Sequence, residues 1–367
     1  MMAGVKLFLC GDVMTGRGID QLQATPSSPE LFEPYVRDAR DYLRLAERRH
    51  GVLARPVASD YVWGDALHAF ERHAPELRIA NLETAVTTSD CPWPAKSIHY
   101  RMHPANLDCL TVAGLDCCVL GNNHVLDWGR AGLLETLDTL HAGGIVTAGA
   151  GADAAAAQAP AALPLAGGGR LLVYSFGVPS SGIPAAWAAT DQQPGVNLLA
   201  DLAPATADRL ADGLRRQKRP GDLLLVSIHW GGNWGYAVPA EQQAFARTLI
   251  DRGGVDVVHG HSSHHPKGIE IHRHRPIFYG CGDFLNDYEG ISGHEAARGD
   301  LTLMYFLRLA ADGSLVTLRM VPLQIRRMRL SYANPGDAAW LGAMMARECQ
   351  HLGARISSVD GELRLLP

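Results

Sequence analysis

The sequence is poor in lysine: only 4 of its 33 cationic side chains are lysines (Lys6, Lys96, Lys218 and Lys267), and the rest are arginines. Its 7 cysteines, at 10, 91, 109, 117, 118, 281 and 349, include no CxxC pair. That argues against a thiolate zinc ribbon or a disulfide scaffold. No run of about 18 residues is free of charges and breakers, so a membrane-spanning helix is not expected. The most apolar stretch, 145–190, is broken by Asp153, Arg170, several prolines and Gly167-Gly168-Gly169. The N-terminus lacks the basic, apolar and small-residue zones of an export signal. With unpaired thiols, this sets the expectation of a reducing, cytoplasmic location. Net charge is small, −5 over 367 residues, so nothing draws the whole chain to nucleic acid or an anionic membrane.

What the chain does have is an apolar content of 47% and 16 histidines. The first is enough for a large core, and the length permits two or three domains or one large α/β domain. The second matters because histidine is the commonest side-chain metal ligand and a proton carrier near neutral pH. Apolar runs that read as buried strands lie at 5–10, 78–82, 116–120, 171–177, 222–229 and 255–260. Helical patterns lie near 37–49, 64–74, 104–113, 130–142, 203–217 and 239–252, with Pro75 ending the second. Such alternation predicts an α/β fold with βαβ units and a mostly parallel sheet. From about 268 the pattern changes to two hairpins, 268–272 with 276–280 and 301–310 with 314–325, and then a helix over 335–350. These boundaries give one domain over 1–330, with an insertion-like segment at 20–65 rich in arginine and aromatics, and a C-terminal helix and tail over 331–367 packed on it. The Ala/Gly/Pro-rich stretch 152–168 reads as a helix plus loop joining two halves.

The chemistry collects just beyond the strand ends. Gly11-Asp12-Val13-Met14 follows the first strand, and Asn81-Leu82-Glu83 closes the second. Gly121-Asn122-Asn123-His124, with Asp127 three residues on, follows the third. Later come His229-Trp230-Gly231-Gly232 and His259-Gly260-His261-Ser262-Ser263-His264-His265. In open α/β sheets the carboxyl ends of the strands line the ligand crevice. Carboxylate, amide oxygen and imidazole together suit Zn, Mn or Fe(II). Asp12, Glu83, Asn123, His229, His261 and His264 exceed what one tetrahedral ion needs. They suit two divalent ions about 3.5–4 Å apart with a bridging carboxylate, for which Asp12 or Glu83 could serve. His124 could stay off the metal as a proton donor, oriented by Asp127.

In order and spacing these motifs resemble the CapA family, the bacterial capsule-synthesis, poly-γ-glutamate-associated branch of the calcineurin-like metallophosphoesterases. Lys96, Tyr100-Arg101-Met102-His103-Pro104 and Pro276-Ile277-Phe278-Tyr279 add to the likeness, which covers about 5–290. The resemblance implies a four-layer α/β/β/α sandwich with a dinuclear centre at one edge. It matches the six residues named above to metal ligands and His124 to the catalytic histidine. The sequence departs from the broad superfamily in three places. Met14 stands where a histidine is usual, and thioether is a poor ligand for hard ions. Glu83 replaces a shorter bridging aspartate, and Gly282-Asp283-Phe284 stands where the family commonly has Gly-Asn-Phe.

Lysine is scarce enough here that Lys96 reads as a specific ammonium for an anionic phosphate or carboxylate. Arg101 could form a bidentate clamp on the same groups. His103 and Trp230 are placed against the substrate, and Trp234 and Tyr236 could also wall the pocket. His259 and His265 are expected to support the ligands or lie at the surface, and not to bind metal. The leading expectation is a metal-dependent hydrolase in which hydroxide generated on the metal attacks a phosphoester and His124 acts as general acid. The alternative is amide-bond chemistry on glutamyl peptides, and a third reading is a non-catalytic relative that binds a polyanion. The two enzyme readings imply a small anionic or peptide substrate, and the third a polyanion or partner.

Overall fold

The protein is described from a computed structural model covering residues 4–291 and 293–366. Two sheets are stacked face to face. In the larger one, Val5–Val13, Leu77–Leu82, Cys117–Val119 and Val146–Ala148 run parallel, side by side. The other flank of Val5–Val13 carries the antiparallel strands Leu301–Leu309 and Leu315–Ile325, then the hairpin Ile356–Val359/Glu362–Leu365. The smaller sheet runs in the order Ile269–His272, Arg275–Phe278, Val257–His261, Leu223–His229, Arg170–Gly177, Ala161–Pro164. Its four central strands are parallel and both edge strands antiparallel.

The period-2 alternation of side chains sorts the apolar residues into three layers. Leu7, Leu9, Ile79 and Val119 of the larger sheet meet Val173, Leu225 and Val257 of the smaller one. The alternate positions Phe8, Cys10 and Ala80 turn outward onto Tyr42, Phe70 and Leu133, which lie on helices Arg40–His50, Asp65–His73 and Gly129–Ala142. Leu172, Leu224 and Val226 turn the other way, onto Ala211, Phe245 and Leu249 of helices Pro204–Gln217 and Ala240–Gly253. The result is the α/β/β/α sandwich that the resemblance implied. Among the described residues, no helix is long and apolar enough to cross a membrane.

Several expected elements appear with altered bounds. Helix Asp65–His73 stops at Ala74, a left-handed cap just before Pro75. The helix expected at 104–113 is broken into a 3-10 turn, Pro104–Asn106, and one α turn, Asp108–Thr111. Both sheets are mixed: the parallel strands that the alternation predicts are joined in each by antiparallel strands, and the short edge strands Val146–Ala148 and Ala161–Pro164 carry too little alternation to be read. Stretch 152–168 holds a short helix, Ala154–Gln158, capped by the Asp153 side chain, and then edge strand Ala161–Pro164 of the smaller sheet. In segment 20–65, Tyr42, Leu43 and Trp63 are buried against the outer face of the larger sheet. Helix Pro335–Gln350 starts with Pro335 in its first turn and Asn334 as N-cap. Of the cysteines only Cys91 is exposed, and none is paired.

Candidate metal centre

The layer between the sheets changes character at one edge. On Leu223–His229 the inward positions run Leu223, Leu225, Ser227, His229; on Val257–His261 they run Val257, His259, His261. The parallel register sets Ser227 beside His259 and His229 beside His261. Core packing thus leads directly into an imidazole cluster. His229 Nδ1 lies 2.7 Å from His261 Nδ1, and His261 Nε2 lies 2.7 Å from Ser227 Oγ. His259 uses both ring nitrogens elsewhere: Nε2 donates to the Cys10 carbonyl at 2.8 Å, and Nδ1 meets Ser227 Oγ at 3.1 Å. It therefore ties the two sheets together beside the cluster.

The larger sheet supplies the oxygen atoms. Asp12 lies on Val5–Val13, next to Asn81, whose amide donates to Asp12 Oδ1 at 2.7 Å and to Glu83 Oε2 at 3.4 Å. Glu83 Oε1 reaches to 3.7 Å from His229 Nε2. The Asn122-Asn123 pair divides its work. Asn122 braces the turn, accepting from the His124 and Val125 amides and donating to Asn81 Oδ1 and Leu82 O. Asn123 Oδ1 lies 2.9 Å from His229 Nε2. His264 Nδ1 lies 2.8 Å from Asp283 Oδ1. Two groups of donor atoms, each within 4.8 Å, share one residue: Asp12 with His229 and His261, and Asp12 with His264 and Asp283.

His124 stands apart from those donors. Its Nδ1 is 2.6 Å from Asp127 Oδ2, which leaves Nε2 on the cluster side, 3.8 Å from Glu83 Oε1. The Tyr100 amide also donates to Asp127 Oδ2, and the Tyr100 ring meets His124 edge-on at 4.6 Å. Lys96 Nζ donates to Asp127 Oδ1 and to Ile98 O, and lies 3.0 Å from His124 Nδ1. Burial would raise Asp127, but His124 and Lys96 outweigh it and hold the carboxyl below its usual range. Burial pushes His124 down to about 4.

These residues fit a divalent cation. Asp12, Glu83 and Asp283 are buried carboxylates whose ion-pair partners, among the described residues, are histidines only. Burial, then Asp283, pushes Asp12 up to about 7; burial, then Asp12, holds Glu83 well above the carboxylate range. Burial holds His229 and His261 well below the imidazole range, so both are neutral donors at pH 7. Carboxylates short of positive charge beside neutral imidazoles are what a metal ion relieves.

Of the four substrate-binding expectations, Lys96 alone reaches the cluster, and its contacts make it a brace for His124 and Asp127. Arg101 is bound to Ser89 O and Asp90 and lies over Trp128, with its Cζ 3.8 Å from the ring centroid. His103 caps the turn Pro104–Asn106 through its own ring. Trp230 is buried in the helix-facing layer, with its indole N–H on the Tyr279 carbonyl. Trp234 is the aromatic at the rim, 37% exposed, stacked on His294 at 4.0 Å and 5.3 Å from His264. His265 is buried and accepts from the Gly235 amide. Sequence reasoning missed Asp283, Ser227 and Asn81. The first was visible as Gly-Asp-Phe where Gly-Asn-Phe is common, and the second lies two residues before His229.

The fold and this edge define an α/β protein of two stacked sheets with a buried cluster of carboxylates and imidazoles where the sheets meet. The family described as "Bacterial capsule synthesis protein PGA_cap" matches residues 6–288, and the chain belongs to it. It is 45% identical over 366 residues to a "Probable polyglutamine synthesis accessory protein" of Mycobacterium tuberculosis, covering 99% of this chain and 96% of that one. It is 24% identical over 307 residues to the PGA biosynthesis protein CapA of Bacillus subtilis, covering 83% and 68% respectively. Among solved structures, a 5'-nucleotidase precursor from Thermus thermophilus aligns at 13% identity and a TM-score of 0.40, covering 91% of this chain and 55% of that one.

Proposed function

We propose that this protein is a metal-dependent hydrolase of a phosphoester, with Asp12, Glu83, Asn123, His229, His261 and His264 as the residues that hold divalent ions. The observation that carries this reading is the His124–Asp127 pair, with Nδ1 tied down and Nε2 open toward Glu83. When bound, Zn, Mn or Fe ions supply Lewis acidity and a nucleophile at neutral pH. Asp127 fixes the His124 ring and favours its imidazolium form; Lys96 and the Tyr100 amide fix Asp127. An anionic group arriving beside Nε2 raises the proton affinity of His124, so that Nε2 takes up a proton from solvent and delivers it to the leaving oxygen. Asn81 holds Asp12 and Glu83 in place.

A second reading is amide-bond chemistry on a glutamyl peptide, by ligation, transfer or hydrolysis. It is favoured by the names of the relatives, which tie them to polyglutamine synthesis and PGA biosynthesis. The same His124 would then protonate a leaving nitrogen. One experiment separates the two. Chelator-stripped protein is reloaded with Mn²⁺ or Zn²⁺ and assayed on bis(p-nitrophenyl) phosphate and on γ-glutamyl p-nitroanilide, with His124→Ala alongside. The expected result is phosphodiester hydrolysis that falls by roughly 10²–10⁴-fold in the variant. Hydrolysis that survives the substitution unchanged overturns the acid assignment. Turnover of the glutamyl substrate alone puts the amide reading first.

A further inference from the structure

We infer that Asp283 is a metal ligand that stands in for the donor missing at Met14, and that the centre is chemically lopsided: one nitrogen-rich position and one oxygen-rich position sharing Asp12. The inference rests on the metal-dependent reading above and goes beyond it, to which residue completes the second position and what kind of ion it prefers.

Met14 is fully buried, and its sulfur is in contact with the Tyr288 hydroxyl at 3.7 Å. Asp283 is brought to the same neighbourhood by a different route. Strand Asp283–Leu285 lies parallel to Val5–Val13 with Asp12 and Asp283 in register, so the two carboxylates lie side by side. Two glycines allow this approach. A Cβ on Gly11 would fall 1.7 Å from the Gly282 carbonyl oxygen, and one on Gly282 would fall 2.8 Å from the Pro266 nitrogen. Gly282 also has a φ of +78°, the left-handed region that glycine adopts without strain. The chain carrying Asp283 is thus pressed between the strand of Asp12 and the loop of His264.

The Asp283 carboxylate is oriented as well as near. Asn286 donates to its Oδ2 at 2.8 Å, Oδ1 faces His264 Nδ1, and the carboxylate belongs to the donor group with Asp12 and His264. Around Asp12 the two sides therefore differ in kind. One offers two imidazoles, His229 and His261, with Asn123 Oδ1 and Glu83 Oε1 beside them; the other offers Asp283 and a single imidazole, His264. Nitrogen-rich sets favour Zn²⁺ and Fe²⁺, whereas carboxylate-rich sets suit Mn²⁺. A carboxylate at 283 gives this side an anionic hard donor that neither the Met14 thioether nor an asparagine amide would supply.

The test uses metal content and not turnover. The full chain, stripped with chelator, is incubated with equimolar ZnCl₂ and MnCl₂, desalted, and measured by elemental analysis and Mn²⁺ electron paramagnetic resonance. The expected result is one zinc and one manganese per chain. Asp283→Asn keeps an acceptor for the His264 N–H but removes the anionic donor; it is expected to lose manganese by about 100-fold or more in affinity while keeping zinc. Met14→His combined with Asp283→Asn is expected to regain a second ion, now zinc. Circular dichroism melts report whether each variant folds, and the double variant keeps the test decisive if the single one is unstable. Retention of both ions at wild-type affinity in Asp283→Asn, or two zinc ions in the wild type, overturns the inference. A wild type that binds zinc and manganese as expected but hydrolyses no phosphoester leaves the inference standing and sinks the phosphoesterase reading. A phosphoesterase indifferent to Asp283→Asn does the reverse.

Discussion

The two sheets bring different chemistry to their shared edge. The larger sheet delivers Asp12, Glu83, Asn123 and Asp283, with His124 and Asp127 beside them; the smaller sheet delivers His229, His261 and the loop of His264. Oxygen donors come from one half and imidazoles from the other. Neither half is a site alone, since buried carboxylates without a cation repel one another and buried imidazoles without a metal are merely neutral rings. The site is therefore a consequence of sheet stacking, and the apolar layer between the sheets is part of its machinery. Ser227 and His259 make this concrete, because His259 reaches from the smaller sheet to the Cys10 carbonyl of the larger one.

The hardest blow to that division of labour falls on Asp12, which both donor groups share. Asp12→Ala is expected to weaken both ions by about 100-fold or more. His229→Ala should affect the nitrogen-rich position alone. Isothermal titration with Mn²⁺ and Zn²⁺ separates the cases; equal loss of both ions in His229→Ala would mean that the positions are not distinct.

A second contrast uses two neighbours on one strand. Leu225 and Leu224 are both fully buried, but Leu225 faces the other sheet and Leu224 faces the helices. Alanine at either is expected to cost about 2–5 kcal/mol in urea unfolding. Only Leu225→Ala should also weaken metal binding, because it loosens the row that leads into Ser227 and His229. Equal effects on metal affinity would show that the inter-sheet layer does not set the donor geometry.

A third test reads the charge imbalance directly. With Asp12 pushed up to about 7, the folded metal-free chain holds a proton that an unfolded aspartate, titrating near 3.9, has released. That contribution to stability is full below about 3.9 and is lost as pH rises through about 7, with a limiting slope of about 1.4 kcal/mol per pH unit for one group. Urea unfolding at pH 5 and pH 8 in chelator is expected to show it, and saturating Mn²⁺ should reverse the trend by displacing the proton. Metal-free stability that rises over this range in the wild type but not in Asp12→Asn would refute the assignment.

How much of this was legible in the sequence follows from chain locality. Donors that close or follow a long apolar run, such as Asp12, His229 and His261, were readable because period-2 alternation and a polar residue at the strand end are local signals. The long strands and the helices Pro204–Gln217 and Ala240–Gly253 were readable for the same reason. The edge strands of three or four residues were not, and the split into two sheets came from the family resemblance and not from the strand pattern, because it depends on pairings between distant segments. Asp283 is the instructive miss: it lies 271 positions from Asp12 in the chain and becomes its neighbour only through strand pairing. Arg101, His103 and Trp230 show the other side of this. Their residue types suit a ligand, but what each side chain touches is set by partners such as Asp90 and Tyr279 that no local pattern reveals.

The smallest expected effect lies at the opposite end of the strand that ends in His229. There Asp222 accepts from the Arg170 side chain, with distances of 2.6 and 3.1 Å, and from the Arg170 and Arg219 amides. The Arg170 hydrogen bond, ahead of the opposing burial, holds its carboxyl below the usual range. The sign is the reverse of that at Asp12: the stability is present above about 3.9 and is lost as pH falls through the folded value. Arg170 is about one-third exposed, so solvent screening limits the contribution of the pair. Asp222→Asn is therefore expected to cost roughly 1 kcal/mol in urea unfolding at pH 7 and progressively less as pH falls below about 3.9. Metal affinity should not move, because the ion pair lies at the far end of the same strand. A change in Mn²⁺ or Zn²⁺ binding in this variant would mean that the strand transmits displacement along its length, and that the two ends are not the independent regions their chemistry makes them.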